Sequence, residues 1–230
     1  LRHIGAILQG QTFERKTPFE LQSILHEFDQ FAAQADFVLG HNLIGHDLVV
    51  LQSLHPHLKF LDLPVIDTLY LSPLAFPHNP YHHLVKDYKL VRSALSDPLE
   101  DCRLAASVFQ DQCQAFRKTW AHAPEVLAFY QFCFLGSQIG AFHGRGVAEV
   151  FRTIGGSLEQ TDIEAYQSIF VQKTAGIVCQ QAVRSVTEQM LSDPLHRPAL
   201  AYCLAWLLVS GSNSVLPPWV RQTRIVAIMS

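Results

Sequence analysis

An α/β fold followed by an α-helical region is what the order of signals along this chain predicts. Short apolar runs alternate with helical periodicities over the first half of the 230 residues, the alternation stops near residue 120, and helical spacing alone continues beyond it. Alternating strand and helix imply a largely parallel sheet with helices on its faces, whose ligands sit at the carboxyl ends of strands. With 49% hydrophobic and 16% charged residues, the chain can bury a substantial core.

His3-Ile4-Gly5-Ala6-Ile7-Leu8 reads as the first strand. Thr17-Pro18-Phe19-Glu20 reads as a capping box with proline at the first helical position. The helix it opens should run to about Ala35, with Leu21, Ile24, Leu25, Phe28, Phe31 and Ala35 as a buried stripe. A strand at 37–40, a helix at 47–55 stopped by Pro56, and a strand at 64–67 follow. Between the first of these strands and its helix, Gly40-His41-Asn42-Leu43-Ile44-Gly45-His46 forms a turn that delivers Asp47 to the helix start. Asp47, Val50, Leu51 and Leu54 fall at i, i+3, i+4 and i+7, so this acid shares a face with core residues. Its partner is either a backbone donor of the first turn, which the helix dipole favours, or a divalent cation, which suits hard carboxylate oxygen.

Asp97-Pro98-Leu99-Glu100 is a second capping box, opening a helix to about Lys118 with Leu99, Cys102, Ala106, Phe109, Cys113 and Phe116 as its stripe. Asp101 precedes Cys102 by about 100 degrees of helical rotation and therefore sits at the rim of that stripe. Beyond it, 125–135 reads as a helix, 136–156 as a glycine-rich, loop-rich stretch, and Thr161-Asp162-Ile163-Glu164 as a third box opening a helix to Val171 or beyond. A further helix spans Pro198 to Val209. The tail, Ser210 to Val220 with its Pro217-Pro218 pair, should be extended. These readings divide the chain into 1–120, a helical connector at 121–210, and a linker at 211–230.

Composition excludes several classes. A formal charge of −3 leaves no global footprint for nucleic acid, so such binding would need a local patch. Five cysteines with no C-x-x-C spacing argue against a disulfide framework or a structural zinc site and fit a reducing cytoplasm. The most apolar run, Ala199 to Val209, is shorter than the ~20 residues a membrane helix needs. Leu1 in place of an initiating methionine points to a chain that starts inside a larger product. His78, His82 and His83 are separated by Asn79-Pro80 and have no soft fourth ligand nearby in sequence, which counts against zinc. Lys86, Tyr88 and Lys89, flanked by Tyr81 and Arg92, suit contact with a nucleic-acid backbone and stacking on bases; an ordinary basic helix face is the plainer alternative. His41 and Asn42, which shape the turn, are counted with that set.

Three segments together resemble the DnaQ-like (DEDD) 3'-5' exonucleases. His41-Asn42 with the apolar turn to Asp47 is similar to their second motif, Val65-Ile66-Asp67-Thr68-Leu69 to their strand-ending Asp-Thr, and Asp97 to Ala105 to their last motif. The likeness covers roughly the first half of the chain. It implies a ribonuclease-H-like sheet lacking its first strand, with Asp47 and Asp101 as ligands of Mg²⁺ or Mn²⁺ in a two-metal site that hydrolyses single-stranded or 3'-ended DNA, or RNA. The family's remaining ligands come from an Asp-x-Glu on a strand upstream of His3, outside this sequence. Its general base falls at Ser96 in the His-type branch and at Asp97 in the Tyr-type branch, and neither is an imidazole. His83, ahead of His82, is the candidate replacement, against a plain reading of each as a solvated or capping histidine. Pro198 to Trp206, with Asn213 to Val220, resembles the connector that joins such an exonuclease domain to a RecQ-like helicase in cis. No phosphate-binding loop of the G-x-x-x-x-G-K-[ST] type occurs. The alternatives are a degenerate nucleic-acid-binding or docking module, and a cytosolic interaction domain whose two acids cap helices.

Overall fold

The computed structural model describes residues 1–79, 97–139, 142–158 and 162–209. The basic segment with Tyr81, His82, His83, Lys86, Tyr88, Lys89 and Arg92, the residue Ser96, and the Pro-Pro tail lie outside them. The chain forms two compact units, one of Leu1–Thr68 with the described part of His83–Gln110, the other of the described parts of Leu69–His82 and Asp111–Ser230.

The first unit begins with β1 (His3–Leu8) and β2 (Gln11–Lys16), an antiparallel hairpin pairing Leu8 with Gln11 and His3 with Lys16. Gln9 and Gly10 make its two-residue turn at φ 51 and φ 80. Positive φ at both centres matches the right-handed twist of the strands, and glycine at the second meets no steric penalty. The sequence gives no warning of β2. Only Phe13 in it is buried, so no alternating pattern exists to be read.

α1 (Leu21–Phe31) buries Ile24 and Leu25 as its spacing requires. Its cap is Glu20, whose carboxylate accepts from the N–H groups of Gln22 at 3.0 Å and Ser23 at 2.6 Å, rather than the expected Thr17. The Thr17 N–H donates to the Arg2 carbonyl and prolongs the hairpin ladder, which commits that residue to extended backbone. Phe13 of β2 meets Phe28 and Phe31, with ring centroids 5.4 and 5.5 Å away, and Phe60 packs edge-on against Phe28 at 4.8 Å. Asp29 accepts from the Phe60 N–H at 3.0 Å, a structural duty that takes it away from any metal site.

β3 (Val38–Gly40) and β4 (Val65–Asp67) pair in parallel, Gly40 opposite Asp67. Between them lie a one-turn π helix, Leu43–Asp47, and α2 (Leu48–Leu54). Among the described residues the strands form three separate two-stranded sheets rather than the single, largely parallel sheet expected from the alternation. A two-residue turn between β1 and β2 permits only an antiparallel return. α3 (Thr68–Ala75) follows β4 without a loop, and α4 (Pro98–His122) is the longest helix.

The second unit is helical: α5 (Pro124–Phe134), α6 (Arg145–Gly155), α7 (Ile163–Lys173), α8 (Gln180–Ser192) and α9 (Arg197–Leu207), with the short hairpin β5 (Gln138–Ile139) and β6 (Phe142–His143). Part of the stretch expected to be loop-rich is thus α6, and α8 is an addition. Asp162 rather than Thr161 caps α7, accepting from the Glu164 N–H. α5 and α9 are buried nearly all round, which is why their sequences look uniformly apolar. Tyr166 stacks on Phe132 with centroids 4.0 Å apart, and the Arg197 guanidinium lies 4.6 Å from the same ring. The Tyr202 hydroxyl donates to the Tyr70 carbonyl, and Gln112 donates to Ser72 at 2.8 Å. No described helix is long and apolar enough to cross a membrane.

This packing sets an expectation for stability. Phe129→Ala, which empties a fully buried position against Phe170, should lower unfolding free energy by about 3–5 kcal/mol. Phe37→Ala, at a residue 47% exposed, should change it by no more than about 0.5 kcal/mol. Chemical denaturation of the two variants beside the parent chain checks both.

Candidate functional site

The turn after β3 is organised by the end of β4. Asp67 is fully buried, and its two carboxylate oxygens accept from the backbone N–H groups of Asn42 at 2.7 Å and Ile44 at 3.0 Å. Those are N–H groups at the start of a helical segment, which have no partner within the helix. Asn42 sits in left-handed backbone at φ 61 and makes no side-chain capping bond, so the contribution of Asn42 to the turn is its amide. A Cβ on Gly45 would lie 2.6 Å from the Asn42 Oδ1, so a larger residue there would displace the Asn42 side chain.

Thr68 completes the arrangement. Its hydroxyl donates to the Gly40 carbonyl at 3.2 Å and lies 2.8 Å from the His41 Nδ1. A carbonyl oxygen only accepts, so a hydroxyl proton given to Gly40 leaves the Thr68 oxygen to accept from the His41 Nδ1.

Asp47 ends the π turn. Its side chain is 52% exposed, and it makes no capping bond to the helix that follows. The His46 Nδ1 lies 3.4 Å from the Asp47 Oδ1, at the edge of hydrogen-bond range. The expectation that Asp47 shares a core-facing stripe is corrected here. Ile44, Leu48 and Leu51 are the buried residues, and Asp47 faces outward. Asp47 stands at the junction of the π turn and α2, where the exposed start of the helix leaves its side chain uncovered.

Asp101 lies in the first turn of α4, where the Asp97 carboxylate caps the helix by accepting from the Leu99 N–H at 3.0 Å. It is half-buried, as its place at the rim of the stripe implies, and its Oδ1 is withdrawn from solvent. The neighbouring Cys102 donates its thiol proton to the Gly5 carbonyl at 3.7 Å. The Thr17–Arg2 bond and the alternation of an antiparallel ladder put Gly5 in a pair not bonded to β2, so its carbonyl points to the other edge of β1. The start of α4 therefore lies against that edge. Close approach is also seen at Gly5 itself, where a Cβ would come within 2.8 Å of Pro98.

Cys102 reports on both acids. Its thiol pKa is raised, first by burial and then by the Asp101 carboxylate; Arg103 opposes the rise, and Asp47 and Asp97 add to it. Asp47 and Asp101, distant in the chain, thus act on one thiol. His41 and Asn42 are on the turn that carries Asp47, whereas His82, His83, Lys86, Tyr88 and Lys89 lie outside the described residues. The residue that sequence reading undervalued is Asp67. It was legible as part of an Asp-Thr pair, but its duty runs through long-range backbone bonds.

Among the described residues, no group of three or more His, Cys, Asp and Glu side chains is placed to hold a metal ion. Mg²⁺ keeps several waters and takes one or two carboxylates, and the exposed Asp47 and half-buried Asp101 have that donor chemistry. No family model, curated protein or solved structure matches the chain.

The shared thiol offers a direct check on the pair. Removing a neighbouring negative charge lowers the thiol pKa, so Asp101→Asn should speed alkylation of Cys102 by iodoacetamide at mildly alkaline pH, and Asp47→Asn should speed it less. Mass spectrometry that resolves each cysteine reads the rates, and an unchanged rate in Asp47→Asn would separate the two acids.

Proposed function

We propose that this chain is part of a 3'-5' exonuclease of the DnaQ-like (DEDD) type, with a ribonuclease-H-like arrangement in its first unit. On this reading, Asp47 and Asp101 are two of the ligands for Mg²⁺ or Mn²⁺. The observation that carries it is the parallel pair of β3 and β4, at whose carboxyl ends the Asp47 turn and Asp67 lie. The raised pKa of the Cys102 thiol, on which burial acts first, then Asp101 and more weakly Asp47, supports placing both acids in one part of this unit.

When bound, the metals would supply an activated water and charge stabilisation at the leaving oxygen. The chain's own residues hold and orient. Asp47 offers an outward carboxylate from a turn fixed at both ends, Asp101 a partly shielded one from a helix start. The His41 ring is oriented by the contact of its Nδ1 with the Thr68 hydroxyl. In the family, the rest of the ligand set comes from an Asp-x-Glu on the strand before the one that His3–Leu8 resembles. DNA with a free 3' end is the substrate class, and the second unit would connect the nuclease to a RecQ-like helicase.

One observation favours a second reading, a degenerate nucleic-acid-binding or docking module. Asp97, which holds the base position of the Tyr-type branch, is occupied as the cap of α4. Activity separates the two. A longer chain that includes the preceding Asp-x-Glu should degrade single-stranded DNA from its 3' end with Mn²⁺, and Asp47→Asn should reduce the rate by more than about 100-fold. Undiminished cleavage by Asp47→Asn would remove this acid from the mechanism. Metal-independent binding of single strands without cleavage would favour the docking module.

A further inference from the structure

A surface helix is ordinarily capped from its own N-cap residue, by a short polar side chain that reaches the second or third amide. The segment that begins at Leu43 is capped differently. Asp67, the last residue of β4, reaches across from another strand to take the Asn42 and Ile44 amides, and it is fully buried. Burying a carboxylate is costly unless several hydrogen bonds compensate. A local cap would have avoided that cost and left the turn held only to its own helix.

What the long-range cap adds is position. Asp67 and Thr68 are consecutive, and between them they fix the Gly40 carbonyl, the His41 Nδ1, the Asn42 amide and the Ile44 amide. The backbone entering the π turn is thereby joined to the end of β4, in register with Gly40 opposite Asp67. Asp47 closes that same turn, with its side chain outward and no capping bond of its own. The geometry points to Asp67 and Thr68 as positioning residues for the candidate metal site. Neither is a ligand; they hold the turn that presents Asp47. This inference rests on the nuclease reading above.

Site-resolved Mn²⁺ broadening of backbone amide signals in the full 230-residue chain tests it. In the parent chain, broadening should centre on the amides around Asp47 and Asp101. Asp67→Asn keeps the size of the side chain but replaces one acceptor oxygen with a donor. It should raise the Mn²⁺ concentration needed at the Asp47 amides by about tenfold or more, with a retained melting transition. Thr68→Val, which removes the hydroxyl but keeps the shape, should act in the same direction, and Thr68→Ser should restore the parental response. Equal broadening at Asp47 in the parent, Asp67→Asn and Thr68→Val would overturn the positioning role and leave the metal reading intact. Absence of broadening at Asp47 and Asp101 in the parent would overturn the metal reading, and the inference with it. If Asp67→Asn fails to fold, the comparison of Thr68→Val with Thr68→Ser decides.

Discussion

The buried Asp67 carboxylate is the constraint on which the candidate site depends. A hydrogen bond to a charged group contributes about 1.5–3 kcal/mol, and Asp67 accepts from the Asn42 and Ile44 amides. Taking the charge out of water costs several kcal/mol, so such bonds are a condition of its burial. Its consequence is geometric. The amides of the π turn cannot be satisfied within the helix, and the only conformations that satisfy them through Asp67 are those that seat the turn against the end of β4.

A turn seated in that way lets the two acids differ in environment while serving one neighbourhood. Asp47 is half exposed, on a segment whose buried face is Ile44, Leu48 and Leu51. Asp101 is half-buried, at the start of α4 beside the edge of β1. The Cys102 thiol, which donates to the Gly5 carbonyl, has its pKa raised first by burial, then by Asp101 and more weakly by Asp47. The raised pKa keeps it a neutral donor rather than a thiolate.

What the sequence revealed divides by the range of the interaction. Stripes such as Ile24 and Leu25 in α1 reflect contacts within one helix turn, and so they were legible. So was the cap of α4, where Asp97 bonds an amide two residues on. Thr17 misled because its amide is taken by Arg2, a partner that belongs to the hairpin rather than to the helix. β2 was hidden because a strand with one buried side chain has no alternation to detect. The outward direction of Asp47 was not legible, because it sits at the uncovered junction of a π turn and α2, and a periodicity template carries no information on what covers a helix end.

The same reasoning narrows the proton chemistry. A general base needs a free lone pair at the operating pH. Asp97 is where the Tyr-type branch places its base, yet its Oδ1 is engaged by the Leu99 amide, and an acceptor holding a helix cap is poorly suited to take a proton as well. His41 is joined through Nδ1 to the Thr68 hydroxyl, which also donates to Gly40, so the bonds that seat the turn also set the direction of the ring. In this fold, holding the turn that carries Asp47 and orienting that ring follow from one pair of adjacent residues at the end of β4.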